Sequence, residues 1–205
     1  MRVSAPDGTQ EDFGQTLQED AIPSAIRRRM GRLERMAVRC TMGVLQDETT
    51  DELIFCSRYG NVEALSALLR AIAEGQLTSP MMFSGSVHNA APGLVGQIRK
   101  ERLSHTAIAA GRHTLMAALV ESAAHFETKD CASVTVTLAD LPLPVHFHAF
   151  EDEVLPGLAL AMRLEPGSDS DTRSAIAIEP GRRGALNLLE DLKAGPVSLA
   201  VGGAA

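Results

Sequence analysis

The sequence predicts an α/β fold in which helices cover a mixed, mostly parallel β-sheet. Short apolar runs alternate with helical patterns of roughly 10 to 15 residues, which is typical of βαβ units. Two late apolar runs, 158–164 and 174–178, flank a Pro-Gly turn and would add an antiparallel portion. With 205 residues, of which 45% are hydrophobic and 22% charged, the chain is long enough for a single hydrophobic core.

The composition argues against several classes of protein. A formal charge of −7 and an aromatic content of 3% do not suit a nucleic-acid-binding protein, which needs a cationic surface and stacking platforms. Cys40, Cys56 and Cys131 form no CxxC pair, which fits a reducing compartment better than a disulfide framework. The sequence shows no signal peptide, and no run reaches the roughly 18 apolar residues of a membrane helix. We therefore expect a cytoplasmic protein without membrane or nucleic-acid partners.

Residues 1–20 are polar and show no hydrophobic period, so we interpret them as a loose N-terminal arm before a domain over residues 21–205. A helix over residues 24–46 should follow. Pro23 suits a first helical turn, and apolar residues recur on one face at the helical period.

A buried strand at 53–56 is predicted by a continuous apolar run. Residues 62–74 have helical periodicity, and Gly75 would end that helix. Residues 83–87 alternate apolar and small polar residues, which favours a strand, and a short helix should follow at 89–99.

The rest of the chain continues the alternation of strand and helix patterns. In chain order, we predict a strand at 104–109, a helix at 111–126, a strand at 132–138, a proline-rich loop at 140–156, strands at 158–164 and 174–178, a helix at 184–193 and a last strand in the tail 197–205.

Four arginines, Arg28, Arg32, Arg35 and Arg39, lie beside the apolar face of the predicted helix 24–46. A solvated face is the ordinary interpretation of such a charge pattern. Because the chain as a whole is acidic, this local basic patch would also suit an acidic partner.

Cys56 ends a predicted buried strand just before a turn, where the nucleophiles of phosphatases and hydrolases often lie. A phosphatase loop also needs an arginine six residues later, and Val62 stands there. A buried free thiol behaves as a small hydrophobic side chain. We therefore interpret Cys56 as packed and inert.

The segment from Ser86 to Asn89 is a dense polar junction that invites a hydrolase interpretation. Ser86 and His88 would lie on the same side of the predicted strand 83–87. The flanking residues do not match the G-x-S-x-G pattern of a nucleophile elbow. We favour a structural hydrogen-bonding role, and an acyl-thioester hydrolase stays as the alternative.

His146 and His148 alternate in a segment predicted to be extended, so both could face one metal ion, with Glu151, Asp152 and Glu153 close behind. A third ligand at a fixed distance is missing, and two histidines at this spacing are common by chance. We expect solvated loop histidines and no metal site. No GxGxxG, Walker, HExxH or CxxC motif is present, so no cofactor is expected.

Nine residues in the middle of the chain carry a family resemblance: Ser79, Pro80, Phe83, Ser84, Ser86, Val87, His88, Asn89 and Gly93. They fit the stretch SPxxFSxSVHNAxxG of the β-ketoacyl synthase-like, N-terminal-domain family, which includes chain-length-factor-like proteins encoded in aryl polyene pigment clusters. The blocks RRRM at 27–30, RMA at 35–37 and FCSRYG at 55–60 resemble the same family. The likeness runs from about residue 21 to 165 and implies a thiolase-like half-fold.

The resemblance also implies where the cysteine nucleophile of a condensing enzyme would stand, in a context like TACATGxHA. The matching stretch is 106–114, and Ile108 occupies the place of the cysteine. An isoleucine cannot form an acyl thioester. The catalytic histidines of such enzymes lie in the second half of their fold, and none can be carried over here. We therefore expect no catalytic residues and no condensation by the chain alone.

In the thiolase-like family, the strand before the nucleophile helix pairs across a dimer interface. Here that strand would contain His105, Thr106, Ala107 and Ile108. An unpaired strand edge and an uncovered helix face are liabilities that a partner subunit would remove. The resemblance thus implies a noncatalytic, chain-length-factor-like subunit that forms a heterodimer with an active ketosynthase in polyene or fatty-acid-like biosynthesis.

An acyl carrier protein is the second partner that the resemblance implies. Carrier proteins are acidic, and the four arginines of the predicted helix 24–46 would attract one. Two alternatives stay open: a stand-alone acyl-thioester hydrolase that uses Ser86 with His88, and a homodimeric carrier-binding module without chemistry.

Overall fold

Strands and helices alternate along the part of the chain that the computed structural model describes, namely residues 2–4, 10–12, 19–128, 130–151, 157–166, 185, 187 and 188. The strands are Arg2–Ser4 (β1), Gln10–Asp12 (β2), Glu52–Cys56 (β3), Ser104–Ile108 (β4), Val134–Asp140 (β5) and Leu158–Leu164 (β6). The helices are Ser24–Arg27 (α1), Arg32–Leu45 (α2), Val62–Ala73 (α3), Pro80–Ser86 (α4), Ala90–Arg99 (α5) and Thr114–Thr128 (α6). Short 3₁₀ helices occupy Glu19–Ala21, Gly111–His113 and Val145–Phe150.

The six strands form one mixed sheet in the order β2-β1-β6-β5-β3-β4. β3 pairs in parallel with β4 on one side and with β5 on the other, so that Ile54 lies between Thr106 and Val136. β6 runs antiparallel to β5 and to β1, which is antiparallel to β2. The predicted mixed sheet is therefore confirmed, with its parallel part limited to β4, β3 and β5. β4 forms one edge of the described sheet.

Helices cover both faces of β3, and for this reason all five of its residues are buried. On one face, Ile54 and Cys56 pack with residues of β5, β6 and α6, among them Leu119. On the other face, Leu53 and Phe55 pack with residues of α2 and α5. Successive residues of a strand point to opposite faces, so one apolar run supplies both layers of the core.

The predicted helix 24–46 is in fact two helices, because the chain breaks between Arg27 and Arg32. Gly31 is the N-cap of α2 and has an extended conformation, with φ −73° and ψ −176°. Glycine is a poor residue inside a helix and a tolerated one at its N-cap. A Cβ on Gly31 would lie 2.7 Å from Oε2 of Glu34, so the close approach of that carboxylate also favours glycine here.

The predicted strand 83–87 is wrong, because these residues form the end of α4 and the extended Val87 that follows it. Oγ of Ser79 accepts a hydrogen bond from the backbone N–H of Met82 at 3.2 Å, and Pro80 is the first helical residue. A serine N-cap followed by proline strongly favours the start of a helix. That signal outweighs the short alternation that suggested a strand.

The predicted arm 1–20 contains two regular strands, β1 and β2, and is not irregular where it is described. β1 pairs with β6, with Val3 opposite Leu158. Pairing with the edge of the sheet thus gives β1 and β2 a regular structure, although their sequence has no hydrophobic period.

The other predicted elements agree closely with the structure where they are described. β3, β4, β5, β6, α3, α5 and α6 lie within a few residues of their predicted bounds. The predicted loop 140–156 is described up to residue 151 and contains the 3₁₀ helix Val145–Phe150. Residues 174–178, the tail 197–205 and most of 184–193 lie outside the described residues. Within the described part of the chain, no helix has the length and apolar character that a membrane crossing requires.

Replacing Ser79 by Ala should lower the free energy of unfolding by about 1 kcal/mol, because it removes the N-cap hydrogen bond of α4. Ser84→Ala is the matched control, since Ser84 is exposed in the same helix and donates to the carbonyl of Met81. Its effect should stay within about 0.5 kcal/mol. Urea unfolding followed by circular dichroism measures both variants, and equal losses would contradict the capping role of Ser79.

Candidate functional site

The turn after β3, residues 57–61, lies at the carboxyl edge of the parallel strands and is held by Asp140 at the end of β5. Asp140 is only 3% exposed. Its Oδ1 accepts hydrogen bonds from Oγ of Ser57 and from the backbone N–H of Arg58, both at 2.9 Å. Oγ of Ser57 accepts in turn from the N–H of Gly60 at 2.9 Å. A buried carboxylate with several donors holds such a turn in one conformation.

The carbonyl of Ile108, at the end of β4, joins two other segments to this turn. It accepts hydrogen bonds from the N–H of Ser57 at 3.2 Å and from Nε2 of His88 at 3.1 Å. Because a carbonyl only accepts, Nε2 of His88 carries the proton. The His88 ring also packs edge-on against Phe55, with 5.5 Å between ring centroids.

Gly60 makes this packing of His88 possible. Its φ of +66° lies in the left-handed region, and a Cβ there would be 2.9 Å from Nδ1 of His88. His88 therefore has the structural hydrogen-bonding role that the sequence analysis favoured.

Asn61 connects three helices at the end of the same turn. Its Oδ1 caps α3 by accepting from the N–H of Ala64 at 3.0 Å. Its Nδ2 donates to Oε1 of Glu34 in α2 at 2.6 Å and to the carbonyl of Gly85 in α4 at 3.1 Å. Burial raises the pKa of Glu34 above its ordinary value, and the hydrogen bond from Asn61 and the nearby backbone amides offset part of that increase.

Ile108 stands where the resemblance implies a nucleophile, and its side chain is half-buried against the core beneath α6. An alkyl side chain offers neither a nucleophilic atom nor a proton. The backbone after it turns into α6, where Oγ of Thr114 accepts from the N–H of Ala110 at 3.0 Å and donates to the carbonyl of Gly111 at 2.7 Å. Ile108 thus contributes packing and a backbone acceptor.

Cys56 is fully buried at the end of β3. Burial, and secondly the charge of Asp140, raise the pKa of its thiol far above the ordinary value. The thiol therefore stays protonated, as expected of the packed and inert cysteine that the sequence predicted.

The hydrolase alternative depended on Ser86 and His88 sharing one side of a strand, and this geometry is wrong because α4 is helical. Oγ of Ser86 donates to the carbonyl of Phe83 at 2.8 Å, inside its own helix. The imidazole of His88 is bound to the carbonyl of Ile108. Each side chain is engaged with a different backbone carbonyl.

His146 and His148 lie in a 3₁₀ helix and not in an extended segment. Residues two apart in such a helix point in different directions, so the pair does not face one metal ion. His146 instead hydrogen-bonds Ser66 of α3 at 2.9 Å. Among the described residues, no group of three or more potential ligands could hold a metal, and Asp152 and Glu153 lie outside them.

The four predicted partner-binding arginines do not share one helix, because the break at Gly31 separates Arg28 from the others. Arg28 and Arg32 are exposed, and Arg35 and Arg39 are half-buried. Nε of Arg35 donates to the carbonyl of Met30 at 3.2 Å and helps to hold the break.

The nine residues of the family motif are placed together around α4 and the start of α5. Ser79 caps α4, Val87 ends it, and Asn89 is the N-cap of α5, which contains Gly93. The predicted interface strand is β4, in which His105 and Ala107 are exposed while Thr106 and Ile108 are half-buried.

Sequence reasoning missed Asp140, Asn61 and Glu34, the three polar residues that organise this edge of the sheet. The predicted loop 140–156 begins at Asp140, whereas the structure places this residue at the end of β5, and an acid directly after a buried strand is a usable signal. The link between Asn61 and Glu34 had no signal, because 27 residues separate the two in sequence.

Comparison with known proteins identifies relatives of this arrangement. A family model described as "Beta-ketoacyl synthase, N-terminal domain" matches residues 4–193. No curated protein matches the sequence. A solved structure from Xenorhabdus doucetiae, described as "Ketosynthase (ApeO) in Complex with its Chain Length Factor (ApeC)", is similar with a TM-score of 0.72 and 25% identity, over 93% of this chain and 81% of that chain. Because both shares are large, the two chains are of similar length.

Two further solved structures share the fold at 16% identity. One is described as "The ishigamide ketosynthase/chain length factor", with a TM-score of 0.60 over 74% of this chain and 48% of that chain. The other is a β-ketoacyl synthase from Burkholderia phymatum STM815, with a TM-score of 0.52 over 68% of this chain and 36% of that chain. These likenesses confirm the predicted thiolase-like half-fold.

Asp140→Ala should lower the free energy of unfolding by about 3 kcal/mol, because it leaves the Ser57 hydroxyl and the Arg58 N–H buried without their acceptor. Asp140→Asn keeps one acceptor oxygen and should lose less than half as much. Urea unfolding of both variants tests this. A loss below about 1 kcal/mol for Asp140→Ala would contradict the role of Asp140 in holding the turn.

Proposed function

The chain belongs to the β-ketoacyl synthase N-terminal domain family, and from this premise we propose that it is a noncatalytic, chain-length-factor-like subunit that pairs with an active ketosynthase. The observation that carries the proposal is the open edge of β4. Among the described residues, β4 pairs with β3 alone. An open edge is a template for a strand of another chain.

A second surface supports a partner subunit. Leu65, Leu69 and Ile72 recur at helical spacing on α3 and are 41%, 53% and 57% exposed. Met81, Met82 and Phe83 of the adjacent α4 are exposed as well. We call this surface the α3–α4 face. A contiguous apolar surface of this kind is typical of a protein–protein interface.

The noncatalytic role rests on the side chains at the nucleophile position and beside it. Ile108 cannot carry an acyl group, and the buried thiol of Cys56 stays protonated. A subunit of this kind contributes binding surfaces to the complex, and the partner subunit supplies the catalytic residues. Polyene or fatty-acid-like biosynthesis is the context we propose, supported by the similarity in length and fold to a structure that contains a ketosynthase with its chain length factor.

An acyl carrier protein is the second partner we propose, docked at Arg28 and Arg32. Both arginines are exposed near the start of α2. Acidic carriers would be attracted to this cationic site on a chain whose formal charge is −7.

Co-expression with the ketosynthase encoded nearest to this gene should yield a stable one-to-one complex in native mass spectrometry. Ala107→Asp at the exposed edge of β4 and Leu69→Asp on the α3–α4 face should each weaken the complex at least about tenfold in Kd, because each buries an unpaired charge. Ala124→Asp, at an exposed position of α6, is the matched control and should leave Kd unchanged. A homodimer or monomer that ignores the ketosynthase would refute the proposal.

Charge reversal of the arginine site tests the carrier. The double variant Arg28→Glu/Arg32→Glu should weaken binding of the carrier protein to the complex about tenfold at low salt, and the difference should shrink as salt screens the charges. Lys100→Glu reverses a charge at the far end of α5 and should have no effect. Isothermal titration calorimetry at two salt concentrations measures the affinity of the carrier protein for the complex. An unchanged affinity of the double variant would show that the carrier protein does not bind at Arg28 and Arg32.

A further inference from the structure

A cavity of about 160 Å³ lies where the start of α2 meets α4 and α5. Pockets for substrates and drug-sized ligands are usually about 300 Å³ or larger, so this one has room for a single side-chain group. Glu34 forms part of its wall, together with Arg29, Asn89 and Gln97. Met81, a residue of the α3–α4 face, also lines it, so the cavity opens beside the surface proposed to bind a partner.

The carboxylate of Glu34 is incompletely satisfied. The residue is 3% exposed, and its Oε1 accepts from Nδ2 of Asn61 at 2.6 Å. Its Oε2 is buried and makes no hydrogen bond of good geometry among the described residues, and the nearby backbone amides of Gly31 and Glu34 stabilise the carboxylate only in part. Asn61 cannot serve both oxygens, since its second N–H donates to Gly85 and its oxygen caps α3. A buried carboxylate oxygen without a donor is costly unless a bound group supplies one.

Two glycines keep the cavity open. Gly85 and Gly93 both line the cavity, and each lies inside a helix, where glycine is unfavourable. A Cβ on either residue would meet nothing within 4 Å, so packing within the described chain does not require glycine at these positions. Space for a group from another molecule would explain why glycine stands at both positions.

The charges around the cavity define the chemistry of that group. Glu34 at the wall repels an anion, and the guanidinium of Arg29, which donates to Oε1 of Gln97 at 3.3 Å, repels a cation. A neutral carboxamide matches both, because its N–H groups can donate to Oε2 of Glu34 while its carbonyl accepts from Arg29. We propose that the cavity receives the carboxamide of an Asn or Gln side chain of the ketosynthase subunit that covers the α3–α4 face. This inference rests on the proposed function.

Glu34→Gln tests the hydrogen bond with little change of shape. The new amide can keep its oxygen toward Asn61, which places its NH₂ group where Oε2 was, and two donors would then face each other. We expect Kd for the co-expressed ketosynthase to rise about tenfold, the equivalent of one charge-assisted hydrogen bond. Glu127→Gln removes a charge from an exposed position of α6 and should leave Kd unchanged.

Gly93→Leu tests the space itself. The leucine should enter the open volume and raise Kd at least about tenfold, whereas Gly93→Ala should change it less than about twofold. Both substitutions favour the helix, so circular dichroism should show an intact fold.

The outcomes distinguish the proposed carboxamide in the cavity from the proposed pairing with a ketosynthase. Weaker binding in both Glu34→Gln and Gly93→Leu supports the carboxamide. An unchanged Kd for Glu34→Gln overturns it even if Gly93→Leu blocks binding, and an unchanged Kd for Gly93→Leu shows that the cavity is not occupied. In these cases a wild-type complex leaves the proposed function standing. Failure of the wild-type chain to form any complex overturns the proposed function and this occupant together.

Discussion

The buried carboxylate of Asp140 sets the position of the turn after β3, and most of the polar structure at this edge of the sheet depends on that turn. The turn presents the Ser57 N–H to the carbonyl of Ile108, which also binds His88. It ends at Asn61, which joins α2, α3 and α4. Hydrogen bonds between these side chains and backbone groups thus link the three parallel strands to the helices above them.

This arrangement gives the most polar region of the described chain a structural role. Ser57, His88 and Asn61 are each hydrogen-bonded to backbone or carboxylate partners, and these contacts hold the turn and the surrounding helices in place. The cysteine that lies closest, Cys56, is kept protonated by burial and by the charge of Asp140. The region acts as a rigid support, and the surfaces that it supports are the edge of β4 and the α3–α4 face.

Several elements were predictable because their signals are local. The apolar run of β3 and the amphipathic pattern of α3 ended by Gly75 can both be read from neighbouring residues. The errors at α4 and at the break before α2 came from competing local signals. At α4 the helix-start signal of the N-cap Ser79 outweighed a period of two that is typical of a strand. Before α2, Gly31 interrupted the helix although the apolar stripe continues past it.

The sequence by itself determined the α/β class and the family, because each depends on residue identity and short-range periodicity. Only the tertiary structure decided that Asp140 holds a turn more than 80 residues earlier in the chain and that Glu34 is buried with one oxygen unpaired. It also decided that an acidic N-terminal segment joins the sheet as β1 and β2. These features depend on which distant backbone groups and strand edges come together, and hydrogen bonds of that kind leave no periodic trace in the sequence.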